Sequence, residues 1–444
     1  MLHRFLVALL RLVWVLLFMA VVFTPLVLST QAGGRGDLTI ELSLTLALLA
    51  FSLLVAAIVL PSRVRSISVA FGIERVLRSH RWLAVAVTTL VLIHLALVVA
   101  DHPASIALLD ARTAPPRARA ATAATIALIG LCVLSLWRRQ LKTPYQWWRR
   151  LHVVLAVVAL VGTLLHVLWL NHLMKDDAMR AFFSLVSVFL GLLLLNRWVR
   201  RPLRALRHAY VIHELRQESP TVSTLALRPA GARQPGLAFR PGQFAWIRLS
   251  RPLGLPESHP FTIASGSHDS RLLEFTIKHA GDWTNQMPHL APGRRVFVDG
   301  PHGDFTLDLR PSKRLLFVAA GVGMTPMMSM LRTLADRGDR RPVRLVVGAR
   351  TQDELLFQSE IHALRDHLRL TVIEVLSSPP PGWRGRTGRV DQAALAAALG
   401  GRAGSKGTDV FICGPPAMVE GAVTALEQLG VPQHRVHTEQ FDMV

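Results

Sequence analysis

Cysteine and acidic residues are both scarce in this 444-residue sequence. It contains two cysteines, Cys132 and Cys413, which argues against a disulfide framework and against a cysteine-based metal site. Aspartate and glutamate number 29 against 50 lysines and arginines, so the formal net charge is +21. Hydrophobic residues make up 51% of the chain, a share that argues against an ordinary soluble enzyme.

Long apolar runs occupy the first half of the chain. Six of them approach the roughly 20 apolar residues that a hydrocarbon core of about 30 Å requires. They are about Phe5–Leu28, Leu38–Leu60, Arg81–Ala100, Ala120–Trp137, Leu151–Leu170 and Ala181–Val199. The first could also be a signal peptide with small residues at Thr30–Ala32, but its length favours a retained membrane helix.

Basic residues concentrate in alternate connections between these runs. They are Arg63, Arg65, Arg75 and Arg78, then Arg138, Arg139, Lys142, Arg149 and Arg150, then Arg197, Arg200, Arg201, Arg204 and Arg207. This distribution follows the positive-inside rule. It predicts an integral protein of a bacterial inner membrane, in contact with lipid, whose N-terminus and residues after Arg197 are cytoplasmic. The basic charge therefore requires no nucleic-acid partner.

Two of the apolar runs carry histidines at the same spacing. His80 and His94 lie fourteen residues apart in HRWLAVAVTTLVLIH, and His152 and His166 repeat that spacing. Fourteen residues advance a helix by about 21 Å and return to nearly the same face. Since the third and fifth runs cross in the same direction, His80 is expected at the depth of His152, and His94 at the depth of His166.

Neutral imidazole is a good axial ligand of heme iron, and two imidazoles saturate the iron. The spacing predicts an inner heme held by His80 and His152 and an outer heme held by His94 and His166. A single histidine in a membrane helix could instead hydrogen-bond a neighbouring helix. Two pairs with one spacing favour iron ligation.

The pattern changes after Arg207. Short runs with β-branched residues, separated by proline and glycine, predict strands. From Lys313 onward, strands and helices alternate, which predicts a parallel sheet with helices on both faces. Gly321 and Gly323 lie where the first of these strands turns into a helix, a position that suits a nucleotide pyrophosphate.

Arg350 ends the second strand of the alternating region, where an adenosine ribose would lie. A basic group there suits the 2′-phosphate of NADPH, although Asp353 close by keeps NADH possible.

Four motifs together resemble those of one family. They are HPFTIAS at His259–Ser265, TIKHAGDWT at Thr276–Thr284, GVGMTP at Gly321–Pro326 and CGPP at Cys413–Pro416. The sequence resembles the NADPH oxidase and ferric reductase superfamily, in which a six-helix heme domain is fused to a dehydrogenase similar to ferredoxin–NADP reductase. The resemblance covers nearly the whole chain.

The resemblance implies a multi-domain membrane protein. A six-helix transmembrane bundle spans 1–206, an antiparallel β-barrel that binds FAD spans 207–309, and a doubly wound α/β nucleotide-binding domain spans 312–444. The implied cofactors are FAD, two b-type hemes and NADPH, with NADH as the other possible nicotinamide.

Individual site residues follow from the same resemblance. The flavin motif comprises His259, Pro260, Phe261, Thr262 and Ser265. The segment approaching the FAD pyrophosphate comprises Lys278, Gly281, Trp283 and Thr284. The dinucleotide turn comprises Gly321, Gly323, Thr325 and Pro326, with Arg350 beyond it. The segment lining the nicotinamide comprises Cys413, Gly414 and Pro415.

Three residues are expected to act at the reacting rings. Thr262 and Cys413 would orient the rings rather than attack a substrate. Phe441 resembles the terminal aromatic that covers the flavin until nicotinamide displaces it. Three residues follow Phe441 here, where some family members end on the aromatic, and a core position in the last strand is the alternative.

The expected activity is electron transfer from cytoplasmic NADPH through FAD and both hemes to an acceptor outside. Oxygen as acceptor would give superoxide, as in an NADPH oxidase, and a ferric chelate would make the protein a ferric reductase. Two alternatives stay open: a relay that reduces an extracytoplasmic redox protein, and a membrane-anchored flavin reductase without heme.

Overall fold

A computed structural model describes residues 2–31, 37–62, 64–138, 140–207, 209–249, 257–309, 312–401 and 407–439. Contacts within the chain divide it into two compact units, Met1–Pro202 and Leu203–Val444.

The first unit is helical. Its longer helices are α1 (Leu2–Gln31), α2 (Leu38–Val59), α4 (Ile73–Asp101), α5 (Pro116–Leu136), α6 (Tyr145–Leu168) and α8 (Asp177–Leu195). Its shorter helices are α3 (Arg65–Phe71) and α7 (Asn171–Met174). A π-helical turn, Asn196–Arg200, extends α8 into α9 (Arg201–Arg207).

Six of the described helices are long and apolar enough to cross a membrane, which confirms the six-span prediction. The last four spans begin several residues before the apolar runs. Each added segment contains arginine: Arg78, Arg117, Arg149 and Arg180. Arginine is tolerated at the start of a membrane helix, because its long stem can lie along apolar surface while the guanidinium reaches the polar boundary.

Small residues and buried hydroxyls hold the helices together. α2 packs on α4, and α5 packs on α6. A Cβ added at Gly162 of α6 would lie 2.7 Å from the Ala120 carbonyl oxygen of α5, so the two helices approach closely because that side chain is missing. The buried Ser52 hydroxyl of α2 donates to the Val21 carbonyl of α1 at 2.9 Å.

The second unit begins with a curved antiparallel sheet of six strands in the order β4-β3-β6-β1-β2-β5. Its strands are β1 (Ala209–Ser219), β2 (Val222–Pro229), β3 (Phe244–Arg248), β4 (His259–Thr262), β5 (Leu273–Lys278) and β6 (Arg295–His302). The outer strands approach one another just after β4, where the Ala264 amide donates to the Glu274 carbonyl at 2.7 Å. This half-barrel matches the expected FAD domain.

A parallel sheet follows, in the order β10-β9-β8-β7-β11-β12. Its strands are β7 (Arg314–Ala320), β8 (Val343–Ala349), β9 (Leu370–Leu376), β10 (Arg386–Thr387), β11 (Thr408–Cys413) and β12 (Val436–Glu439). Helices α10 (Met324–Asp336) and α11 (Gln358–His367) pack into one core. Helices α12 (Gln392–Leu399) and α13 (Pro416–Gln428) pack into another. The two cores confirm the doubly wound α/β prediction.

Candidate functional site

The inner pair of histidines comes together in the helical unit. The ring centroids of His80 on α4 and His152 on α6 are 6.3 Å apart, with 63° between the ring planes. Imidazoles that ligate one iron from opposite sides, with metal–nitrogen bonds of about 2 Å, have centroids about 6 Å apart. The interplanar angle is compatible with this arrangement because either ring can rotate about the nitrogen–metal axis.

Main-chain carbonyls hold three of the four rings. The Nδ1 atoms of His80, His94 and His166 lie 2.7, 3.0 and 3.0 Å from the carbonyl oxygens of Ala57, Ser43 and Arg117. A carbonyl can only accept a hydrogen bond, so a neutral ring held in this way has its proton on Nδ1 and its lone pair on Nε2. Metal-ligating histidines commonly have this second partner.

The remaining ring, His152, has a different environment. Its Nδ1 lies 3.4 Å from the Ser135 hydroxyl, and its ring centroid is 5.1 Å from that of Trp148. Ser43 also places its hydroxyl 2.9 Å from Nδ1 of His94. The sequence offered a signal for Ser43 and Ser135, since polar residues in membrane helices are costly, but not for which histidine each would contact.

Aromatic rings gather around the flavin motif on β4. His259 and Phe261 both contact Trp283, with centroid distances of 4.5 and 5.6 Å, and Phe261 lies nearly parallel to the indole at 19°. Nε2 of His259 also lies 2.9 Å from a Glu257 carboxylate oxygen. The structure thus joins two of the expected flavin-binding segments, one on β4 and one after β5.

The Thr262 hydroxyl is a buried polar group of this motif. The residue is 4% exposed, and its Oγ1 has no hydrogen-bond partner among the described residues. An unsatisfied buried hydroxyl is costly, and a flavin ring offers heteroatoms that would satisfy it. Pro260 is half-buried and pairs with Trp246 on β3.

Ser265 differs from the rest of the motif. Its hydroxyl donates to the Leu272 carbonyl at 2.9 Å and accepts from the Glu274 amide at 3.3 Å. Ser265 therefore helps to close the sheet, with its hydroxyl already engaged within the protein.

The expected pyrophosphate segment is an ordered turn. The Thr284 hydroxyl accepts from the amides of Ala280 and Gly281, at 2.9 and 3.0 Å. Lys278 is exposed at the end of β5. Burial lowers the pKa of the neighbouring His279. A lysine side chain is a suitable partner for phosphate.

The dinucleotide turn brings two strand ends together. Gly321–Gly323 connects β7 to α10, and a Cβ added at Gly323 would lie 2.2 Å from the Cys413 carbonyl oxygen at the end of β11. Gly321 has a φ of +54°, in the left-handed region that favours glycine. Bare backbone at this turn leaves room for a pyrophosphate at the start of a helix.

The other expected nicotinamide residues surround the same turn. Thr325 is buried and donates from its hydroxyl to the Val322 carbonyl at 2.8 Å, and Pro326 is also buried. Cys413 is fully buried, and Gly414 lies against Ala320 and Met418. Pro415 is exposed at the start of α13.

Arg350 is exposed just after β8, and its backbone amide donates to a Glu354 carboxylate oxygen at 3.2 Å. A second acidic residue therefore lies beside the expected 2′-phosphate position. Phe441 lies outside the described residues.

Three family models match the chain in the order of its folds. The ferric reductase like transmembrane component matches residues 46–163, an FAD-binding domain matches 222–306, and the oxidoreductase NAD-binding domain matches 317–424. The chain is a ferric-reductase-like fusion. It joins a ferric-reductase-like membrane domain to FAD- and NAD-binding domains of the ferredoxin–NADP reductase type, and it is an oxidoreductase.

Curated relatives align with about half of this chain. A ferredoxin–NADP reductase B of Sorangium cellulosum is 33% identical over 237 residues, which are 51% of this chain and 95% of the relative. The reductase component of a propane 2-monooxygenase of Rhodococcus jostii is 29% identical over 51% of this chain. A Bordetella pertussis flavohemoprotein is 27% identical over 50%. The chain covers 62% and 58% of these last two proteins.

Two solved structures align with different shares of this chain. The FAD/NAD binding domain of a Vibrio cholerae nitric oxide dioxygenase is 23% identical with a TM-score of 0.47, over 53% of this chain and 98% of that one. A flavohemoglobin from Malassezia yamatoensis is 20% identical with a TM-score of 0.47, over 77% and 91%.

Proposed function

We propose that this ferric-reductase-like oxidoreductase is a transmembrane flavocytochrome, which moves electrons from NADPH through FAD and two bis-histidine hemes to an acceptor across the membrane. The observation that carries the proposal is the 6.3 Å separation of the His80 and His152 ring centroids. That separation fits one iron between the rings. The two rings lie on α4 and α6, the helices whose histidines have the same spacing in the sequence.

The inner heme would be held by His80 and His152, and the outer heme by His94 and His166. Support for the outer pair comes from the hydrogen bonds that both rings make to main-chain carbonyls. Those bonds fix the tautomer that offers Nε2 to a metal. Each ring could therefore bind iron through Nε2 without releasing a proton.

The reductase unit would hold FAD and the nicotinamide nucleotide. Lys278 and the turn at Gly281–Thr284 would hold the FAD pyrophosphate, and Thr262 would donate to or accept from the flavin ring. Gly321–Gly323 would receive the nucleotide pyrophosphate, and Cys413 would line the nicotinamide. Arg350 favours NADPH over NADH through the 2′-phosphate.

Bound FAD accepts two electrons together as a hydride and passes them on singly, and heme iron accepts one electron at a time, so the flavin belongs between nicotinamide and heme. The residues of this chain bind and orient these groups. The positive-inside distribution of arginine supports a cytoplasmic reductase unit and an acceptor on the opposite side. Dioxygen and a ferric chelate are the proposed acceptors.

An anaerobic absorption spectrum of the detergent-purified protein tests the proposal, recorded before and after NADPH is added with FAD present. Two b-type hemes per chain and a shift of the Soret band on reduction are expected. A preparation supplied with iron and heme that shows no heme band would contradict it. Admitting oxygen or ferric citrate afterwards shows which acceptor reoxidises the hemes.

A further inference from the structure

The reductase unit, Leu203–Val444, contains the FAD domain with the antiparallel sheet and the nucleotide domain with the parallel sheet. These two domains meet along helix α10. This helix starts directly after the dinucleotide turn, and the segment that it contacts, Ala264–Ser267, starts two residues after Thr262 of the flavin motif. Contacts between α10 and this segment therefore link the nicotinamide position to the flavin position.

Ser329 makes the innermost of these contacts. It is fully buried, and its hydroxyl donates to the Ser265 carbonyl at 2.9 Å. The same oxygen accepts from the Gly242 amide at 3.2 Å. One side chain of the nucleotide domain thus satisfies two main-chain groups of the FAD domain, one just before β3 and one just after β4.

Arg332, one turn further along α10, joins three elements. Its Nη1 donates to the Ala264 carbonyl and to a Glu274 carboxylate oxygen, both at 2.7 Å. Its Nε and Nη2 donate to the two carboxylate oxygens of Glu360 on α11, both at 2.6 Å. Burial alone would lower the pKa of Arg332, but the hydrogen bond to Glu360 and the charges of both carboxylates raise it.

Thr333 completes the row. Its hydroxyl accepts from the Ser267 amide at 2.9 Å. A Cβ added at Gly266 would lie 2.7 Å from an Asp336 carboxylate oxygen, so this segment also approaches the end of α10 without a side chain between them. Three main-chain groups within one four-residue segment of the FAD domain, at Ala264, Ser265 and Ser267, are thus bound by side chains of one helix.

The bonds of Arg332 lie beside open space, whereas Ser329 and Thr333 are buried. A cavity of about 700 Å³ is lined by Arg332, Glu274, Glu360, Gly266 and Asp336, among other residues. Because the interface is not packed on that side, loss of the bonds leaves α10 room to shift. Hydride transfer is steep in distance, and a displacement of about 1 Å can cost about a hundredfold in rate.

We propose that Ser329, Arg332 and Thr333 are positioning residues. They set the distance between the dinucleotide turn, Gly321–Gly323, and β4, the strand that carries the flavin motif. The inference rests on the proposed function, because it concerns the hydride that passes from the nicotinamide to FAD. In that step the C4–H bond of NADPH breaks, the hydride with its two electrons reduces the flavin, and NADP⁺ remains.

The test compares Ser329→Ala and Arg332→Gln with the control Arg341→Gln in the full-length protein. Arg341 pairs with Asp339 and donates to the Ser312 carbonyl, all within the nucleotide domain. Four quantities are measured: bound FAD per chain, the Kd for NADP⁺, the rate constant of anaerobic flavin reduction by NADPH, and deuterium exchange of the amides at 263–267.

In both interface variants we expect at least a tenfold fall in the reduction rate constant, unchanged FAD content and less than a threefold change in the NADP⁺ Kd. Exchange at 263–267 should rise. Arg341→Gln should match the parent protein in all four.

Reduction rates within twofold of the parent in FAD-replete Ser329→Ala and Arg332→Gln would overturn the inference. So would a fall in rate that only follows loss of FAD. If the parent protein itself is not reduced by NADPH, the proposed function fails, and the exchange measurement still tests whether α10 holds the flavin strand.

Discussion

In the membrane unit, Nδ1 of every proposed heme ligand contacts another protein group, whereas in the reductase unit the buried Thr262 hydroxyl has no partner among the described residues. The difference follows from the surrounding solvent. Hydrocarbon satisfies no polar group, so a histidine in the bundle needs a protein partner. In the reductase unit the Thr262 hydroxyl is buried beside the expected flavin position, where a flavin heteroatom would satisfy it.

The two units also position their sites with different parts of the chain. Side chains project from regular helices in the bundle, and the helix period sets their depth. In the reductase unit, by contrast, the expected nucleotide position is shaped by a turn with little side chain, Gly321–Gly323. Substitution of a side chain should therefore be most damaging in the bundle, and addition of a side chain most damaging in the turns.

The largest effect is expected from His152→Ala. Loss of one inner ligand should remove that heme, halve the heme content per chain and slow reduction of the outer heme by NADPH at least a hundredfold. Pyridine hemochrome assay and stopped-flow absorption measure these quantities. His102→Ala is the control, because His102 is an exposed loop residue that contacts Asp101. Two hemes retained in His152→Ala would contradict the ligand assignment.

Gly323→Ala tests the turns. The added Cβ would lie 2.2 Å from the Cys413 carbonyl oxygen, so the two strand ends must separate, and the flavin reduction rate should fall by about a hundredfold. Gly421→Ala on α13 is the matched control, since a Cβ there meets nothing within 4 Å. That variant should reduce flavin normally and gain stability of about 1 kcal/mol from helix propensity. Equal rates in both variants would exclude the turn from nucleotide binding.

A smaller effect is expected from Arg350→Ala. Because only NADPH carries a 2′-phosphate, kcat/KM for NADPH should fall about tenfold, or about 1.4 kcal/mol. The value for NADH should stay within about twofold, as steady-state assays with both nucleotides would show. Arg365→Ala, on the exposed side of α11, should change neither value. If kcat/KM for NADH fell by the same factor as kcat/KM for NADPH, Arg350 would have a structural role instead of a role in nucleotide selection.

The smallest effect is expected from Ser43→Ala. This change removes the hydroxyl 2.9 Å from Nδ1 of His94 but keeps the Ser43 carbonyl that holds the same atom. Heme content should be unchanged, and the outer-heme midpoint potential should shift by less than about 59 mV, a tenfold change for one electron. Spectroelectrochemical titration measures it. Ser187→Ala, whose hydroxyl bonds within its own helix, should shift neither heme.

Periodic features could be predicted from the sequence. The six spans followed from apolar length, the pairing of His80 with His152 from a shared spacing, and the alternating strands and helices from pattern. Helix starts were placed too late, because arginines such as Arg78 and Arg149 break the apolar run without ending the helix.

Contacts between residues distant in sequence could not be predicted. Nothing local indicates that Ser329 binds the Ser265 carbonyl, or that Ser43 contacts His94. Such contacts depend on how finished elements pack, and a buried serine looks the same in the sequence whichever partner it finds. For Ser265 the family motif indicated a cofactor contact, while its hydroxyl closes the sheet.

The carbonyl contacts at His80, His94 and His166 affect how this protein can vary over evolutionary time. A main-chain oxygen is present whatever residue occupies Ala57, Ser43 or Arg117, provided that the helix persists. Lineages can therefore change these neighbours, and with them the polarity around each ring, without releasing the ring. If the proposed heme path is correct, its retention depends on the four histidines and on helix geometry, while the surrounding side chains are free to adapt to a new acceptor.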